Sequence, residues 1–212
     1  MLETKAQIQQ LVPQVADKEL SVLASYYTAY ANYRLSSIFE DMEKEQQEDY
    51  LNTSIEQLEQ VTEEAPEFAE GWALLGNCYG MKAKGMISGM RYGPKSERTI
   101  DRARELAPDN PRVAMIYGIS LLYKPGMFGG SVKKAVDTFK KAGRYFEEWS
   151  PQNSLYPEWG KAENYAWMAQ AYIEQDRLAD AREAYQTSLQ VDPDYYWVKE
   201  VLLPELINEM DD

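Results

Sequence analysis

Histidine is missing altogether from this chain of 212 residues. Without an imidazole there is no Ser-His-Asp or Cys-His nucleophile and no His-ligated metal. Cysteine occurs once, at Cys78, which excludes a disulfide within the chain and leaves the redox compartment open. No apolar run approaches the ~20 residues that a membrane helix needs, so membrane insertion is not expected. The first residues, MLETKAQIQQ, lack the basic-then-apolar plan of a signal peptide. The expectation is a cytoplasmic protein, or a periplasmic one whose leader has been removed.

Other chemistries fail on spacing. The run Gly126-x-x-Gly129-Gly130-Ser131-x-Lys133-Lys134 is rich in glycine, but a phosphate cradle needs Gly-Lys-Ser/Thr directly after its glycines and a strand before them. These glycines read instead as a tight reversal between helices, with Ser131 capping the helix that follows. Asp192, Asp194 and Glu183, and the run from Glu40 to Asp49, fall in connectors and on outer helix faces. A hydrolase needs two carboxylates held across a cleft, one with its pKa raised by burial, and no calcium-loop spacing is present. No catalytic residue, cofactor or metal is expected, and the chain does not read as an enzyme.

What is present begins with tyrosine, at 16 residues, and with a net charge of −13. That charge is segregated: residues 1–70 carry −11, residues 71–150 carry +7 and residues 151–212 carry −9. Arg91, Lys95, Arg98, Arg102, Arg104 and Arg112 crowd the basic middle. Such a region steers an acidic partner toward itself and away from the ends. The basic middle of one copy meeting an acidic end of another, as head-to-tail self-association, is the competing reading. Nucleic acid is not expected, because the whole chain is acidic and no nucleic-acid-binding motif is present.

Apolar spacing of three and four dominates throughout, so the chain reads as all-α. Its clearest unit has Tyr165-x-x-Met168-Ala169-x-x-Tyr172, a turn at Gln175-Asp176-Arg177, then Ala181-x-x-x-Tyr185 and Pro193. Two helices pressed together need small residues where their axes approach and large ones on either side. Ala169 and Ala181 supply the small surfaces; Tyr165, Tyr172 and Tyr185 supply the knobs. A second unit opens with Trp72-x-x-Leu75-Gly76-x-x-Tyr79 and continues from Arg98 to Leu106, with Ala103 inward. A third opens at Pro111 with Tyr117-Gly118 and continues with Ala135-x-x-x-Phe139-x-x-Ala142. Longer connectors are expected around Gly85–Pro94 and Lys124–Ser131.

This pattern resembles the tetratricopeptide repeat, whose unit has a large residue, Leu-Gly and Tyr on one helix and Ala, an aromatic and Pro on the next. Met168-Ala169 and Tyr117-Gly118 depart from Leu-Gly but keep the size classes. The resemblance implies a right-handed α-α superhelix of about three to four hairpins in a single domain, with repeats near 17–68, 69–110, 111–160 and 162–195 and a C-terminal cap over 196–212. The first repeat is degenerate: a tyrosine-rich helix from Asp17 to Phe39, an acidic connector from Glu40 to Asp49, and a second helix to Glu64. The Pro125–Ser131 loop followed by Pro157-x-Trp159-Gly160 is similar to a set of bacterial tetratricopeptide proteins, many of them exported.

The resemblance also implies where a partner binds, since the first helices of successive repeats line the groove. The groove candidates are Asn77, Met81, Arg112, Met115, Ile119, Trp167 and Gln170; the basic-patch candidates are Arg91, Arg98 and Arg102. Of the positions with which chaperone-binding members clamp a terminal carboxylate, only Asn77 matches, so a clamp is not expected. The expected function is an interaction module holding a protein or peptide partner, as an extended segment or an amphipathic helix. The alternative is a carrier of a small or lipid-like molecule, its pocket closed by the long loops and lined by Met86, Met90, Met127, Phe128 and Trp159. An enclosed cavity would favour the carrier and an open groove the module.

Overall fold

The computed structural model describes residues 17–38, 43–151 and 153–211. Regular structure among them is entirely helical: α1 (Lys18–Ile38), α2 (Lys44–Glu64), α3 (Ala69–Lys82), α4 (Met86–Leu106), α5 (Pro111–Tyr123), α6 (Val132–Glu148), α7 (Lys161–Ile173), α8 (Leu178–Val191) and α9 (Leu203–Asp211). Consecutive helices pack as hairpins, α1 on α2, α3 on α4, α5 on α6 and α7 on α8. The chain forms two compact units, Met1–Ala107 and Pro108–Asp212.

In the first unit, Asp17 caps α1 by accepting the backbone N–H groups of Glu19 and Leu20 at 2.9 and 3.2 Å. The register of α1 is fixed by what it buries, namely Val22, Leu23, Tyr26, Ala29, Tyr33 and Leu35. Against them α2 sets Leu51, Ile55, Leu58 and Val61, spaced three and four apart on one face. The Ser54 hydroxyl donates to the Ala29 carbonyl at 2.9 Å, tying the two helices together. The acidic connector is shorter than expected. Residues 40–42 lie outside the described residues, and from Lys44 the chain is already helical, because Glu, Lys and Gln are good helix formers on an exposed face.

The α3–α4 hairpin closes on Gly76, where a Cβ would meet the Ile100 side chain, and the Ser96 hydroxyl donates to the Gly76 carbonyl at 2.7 Å. The long connector expected around Gly85–Pro94 is not a loop. It is the first half of α4, which starts at Met86 and carries Pro94 inside it. A proline there removes one helical hydrogen bond. Pro94 is exposed and a Cβ on Gly93 would meet nothing within 4 Å, so water reaches this stretch of backbone.

In the second unit, the Asn110 side chain caps α5 by accepting from the N–H groups of Arg112 and Val113, with Pro111 in the first turn. After a 3₁₀ turn at Gly126–Phe128, Gly129 takes a left-handed φ of 93° and Ser131 caps α6, accepting from the Lys134 N–H at 3.3 Å. Gly118 packs against the Phe139 ring. Ala169 and Ala181 are fully buried at the α7–α8 crossing, and the Ser188 hydroxyl donates to the Ala162 carbonyl at 2.8 Å. The expected cap is in two parts. A wide π-helical turn spans Trp197–Leu202 and runs directly into α9 at Leu203, and Pro204, which has no N–H to donate to the preceding turn, sits at that change of pitch.

Candidate functional site

Four aromatic side chains of the second unit form a row. Tyr123, at the end of α5 and exposed, meets Trp167 of α7 edge-on with ring centroids 5.8 Å apart. Trp167 lies 5.0 Å from Trp197 of the π-helical turn, and Trp197 lies 6.5 Å from Tyr195. Trp167 and Trp197 are half-buried, so part of each ring faces solvent. The Trp167 indole N–H donates to Glu163 at 3.4 Å, which fixes the ring's tilt. Gln170, one turn along α7, donates to the Tyr185 hydroxyl. Burial first, and Glu205 beyond it, push the Tyr185 phenol up to about 12 against the opposing effect of Gln170.

Of the seven groove candidates, Trp167 belongs to this row, and Gln170 follows it one turn along α7, bonded to Tyr185. Arg112, Met115 and Ile119 do not face a groove; all three are buried. For Arg112 and Met115 the cause is the α6–α7 connector, which lies over the first turns of α5. The Arg112 guanidinium stacks 4.5 Å from the Trp149 ring centroid and donates to the Trp159 carbonyl at 3.3 Å. Gly160, with a left-handed φ of 107°, comes so close that a Cβ on it would reach Phe146, Met115 and Arg112. In the first unit, Asn77 is buried on α3 and Met81 is half-buried.

The basic-patch candidates all lie on α4 but do not make one positive face. Arg102 is engaged by Glu67 at 3.3 Å and by Glu105 at 3.8 Å. Arg98 shares an open depression of about 430 Å³ with Glu59, Glu63, Trp72, Tyr79 and Lys95. Burial, and then the hydrogen bond to Glu59, hold the Tyr79 phenol above its usual range. Arg91 is exposed, its guanidinium 5.2 Å from the Tyr92 ring centroid. A second open depression, of about 440 Å³, is lined by Val132, Lys133, Val136, Asp137, Lys140 and Arg177.

The side chains expected to close a carrier pocket stand in solvent. Met86, Met90, Met127 and Phe128 are all exposed, and Trp159 is half-buried in the connector over α5. Among the described residues no group of three or more Cys, Asp or Glu side chains could hold a metal ion, and no helix is long and apolar enough to cross a membrane.

The sequence signal missed here was the pairing of Arg112 with the aromatic-rich stretch Phe146, Trp149 and Trp159. An arginine in the first turn of an otherwise apolar helix has nowhere to place its charge unless a flat ring and a carbonyl are brought to it.

All-α hairpins closing on Gly76, Gly118 and Ala169 define the class: the fold is that of the tetratricopeptide-repeat proteins. A thermophilic tetratricopeptide protein from Thermus thermophilus superposes with a TM-score of 0.67 at 16% identity, over 96% of this chain and 89% of that one. The HusA haemophore from Porphyromonas gingivalis superposes with a TM-score of 0.55 at 22% identity, over 82% and 84%. No protein-family model matches the chain, and no curated protein sequence matches it.

Proposed function

We propose that this protein is a non-catalytic interaction module that holds a segment of a polypeptide along the aromatic row of its second unit. The observation that carries the reading is the row itself, Tyr123, Trp167 and Trp197, at centroid spacings of 5.8 and 5.0 Å with ring surface left to solvent. Rings so spaced offer alternating ridges to an extended chain, and Gln170 adds a polar contact beside them. Arg91 and Arg98 steer an acidic stretch of the partner toward the first unit; Arg102 is already held by Glu67 and Glu105 and contributes less.

The carrier reading has one point in its favour, since the haemophore of similar fold carries a small molecule by its name. Against it, Met86, Met90, Met127 and Phe128 would have to leave solvent to line a pocket. Selection from a random-peptide display library tests the preferred reading. Peptides recovered on the wild type are expected to share a consensus and to lose binding to Trp167→Ala. Recovery without a consensus, or a consensus indifferent to Trp167, would overturn it.

A further inference from the structure

Five large apolar side chains stand almost bare on two short segments. At the start of α4, Met86 and Ile87 are each 86% exposed and Met90 is 78% exposed; in the α5–α6 connector, Met127 is 85% and Phe128 64% exposed. Scattered exposed hydrophobics are ordinary, but clusters this bare at a projecting turn cost solvation, and none of the described residues covers them. The first cluster projects because α4 is longer than its partner: α3 starts at Ala69 and ends at Lys82, while α4 runs from Met86 to Leu106. Met86, Ile87 and Met90 fall on one side of its first turns, by helical spacing. The second cluster is held out by the 3₁₀ turn Gly126–Phe128 and the left-handed Gly129.

Each cluster sits in an acid-free stretch of sequence. No Asp or Glu occurs from Gly71 to Ser96 or from Asn110 to Val136. The first stretch contributes Lys82, Lys84, Arg91 and Lys95, and the second Lys124, Lys133 and Lys134 besides the buried Arg112. Lys82 is drawn off by Glu48 of α2 at 3.3 Å, and Arg91 and Lys95 lie over the rings of Tyr92 and Tyr79. Lys84, Lys133 and Lys134 are exposed. The two units repeat one device: an apolar tip of two or three side chains with basic residues beside it.

We propose that each of these segments, by itself, docks its own unit on an anionic lipid surface, the apolar tip entering the headgroup region and the basic side chains beside it pairing with lipid phosphates. Charge complementarity selects that occupant. The exposed charges beside the tips are basic, Lys84 at the first and Lys133 and Lys134 at the second, while the chain as a whole carries −13 and an anionic bilayer would repel its acidic faces. Shape agrees. The tips are convex, and a fluid interface closes around a convex tip, while a protein partner would need a matching pocket for each. Neither tip is long enough to span a membrane; the attachment is shallow, and within each tip the apolar and the basic contacts add.

Flotation of the full chain with phosphatidylcholine vesicles, with and without phosphatidylglycerol, tests this. The chain is expected to float with the anionic vesicles and not with the neutral ones, and raising salt should release it. The single-tip sets Met86→Ser/Ile87→Ser/Met90→Ser and Met127→Ser/Phe128→Ser should each lower the bound fraction, and the combined set should reduce it to the neutral-vesicle level. Lys133→Glu with Lys134→Glu should weaken binding by more than the ~fivefold that each lost basic residue near an anionic surface is worth. All these side chains are exposed, so thermal midpoints should match the wild type. Because Cys78 is fully buried, an environment-sensitive thiol dye can be placed at Met86→Cys or Met127→Cys, with the outward Gln186→Cys as control. A blue shift at both tips and none at the control is expected. Equal flotation with neutral vesicles, unchanged binding by the combined set, or self-association that depends on the tips without any vesicle binding would each overturn the proposal.

Discussion

Gly118 of α5 faces Phe139 of α6 so closely that a Cβ on the glycine would lie 2.6 Å from the edge of the ring. Alanine is the better helix former by about 1 kcal/mol, but overfilling a close crossing costs ~1–3 kcal/mol. Gly118→Ala is therefore expected to lower the urea midpoint. Gly126→Ala, where the added carbon would meet nothing within 4 Å, should leave it nearly unchanged. A stabilised Gly118→Ala would mean that Phe139 moves aside without loss.

The α7–α8 crossing makes the same demand with alanine. Ala169 and Ala181 have no accessible surface, so Ala169→Leu and Ala181→Leu should each destabilise by roughly 1–3 kcal/mol. Chemical denaturation of both variants measures this, and unchanged midpoints for both would contradict the packing.

Arg112 binds through its shape as well as its charge. Its guanidinium is stacked on Trp149 and bonded to the Trp159 carbonyl, and a lysine ammonium cannot reproduce the flat contact. Arg112→Ala should cost about 3 kcal/mol, as expected when a buried charged hydrogen bond is removed and a space is left. Arg112→Lys should recover little of it. Limited proteolysis within the connector 149–160 should rise in both variants, and full rescue by lysine would show that only the charge matters.

Cys78 is fully buried, with its Sγ 3.6 Å from the Ser54 hydroxyl, and burial pushes its thiol up from an ordinary 9.0 to about 12. It should resist thiol reagents until the protein unfolds. The fold holds the thiol protonated. Its contribution to stability is complete below pH 9 and is lost as pH climbs from 9 toward 12, at up to ~1.4 kcal/mol per pH unit for each proton. Tyr185, raised from 10.0 to about 12, adds to the same decline above pH 10. Cys78→Ala should flatten the fall between pH 9 and 10, read from urea midpoints; an equal slope would remove Cys78 as its cause.

Positions where helices cross announced themselves in the sequence, because few residues are small enough to sit there. Gly76, Gly118, Ala169 and Ala181 lie at the crossings that their spacing implied, and Ser131 caps α6 as its place before Val132 suggested. What failed to show was anything decided by a contact remote in the chain. Arg112 read as a groove residue because the connector that covers it begins some forty residues later, at Trp149. Gly85–Pro94 read as a loop because three glycines and a proline outweigh Met86, Ile87 and Tyr92 in local propensity. In the fold, Tyr92 stacks on Tyr79 at 6.0 Å and draws the segment into α4. Trp167 was legible as a groove residue, but its neighbours Tyr123 and Trp197 were not, since the three rings come from three separate elements.

Pro94 gives α4 a seam. The carbonyl four residues before it has no helical N–H to accept, so the turns from Met86 to Met90 can unwind while Ser96, Ile100 and Ala103 stay seated against α3. That seam is a place to cut or to splice. A protease site, an epitope or a reporter domain inserted between Ser88 and Gly89 would leave the hairpin intact and would change only what the projecting end presents.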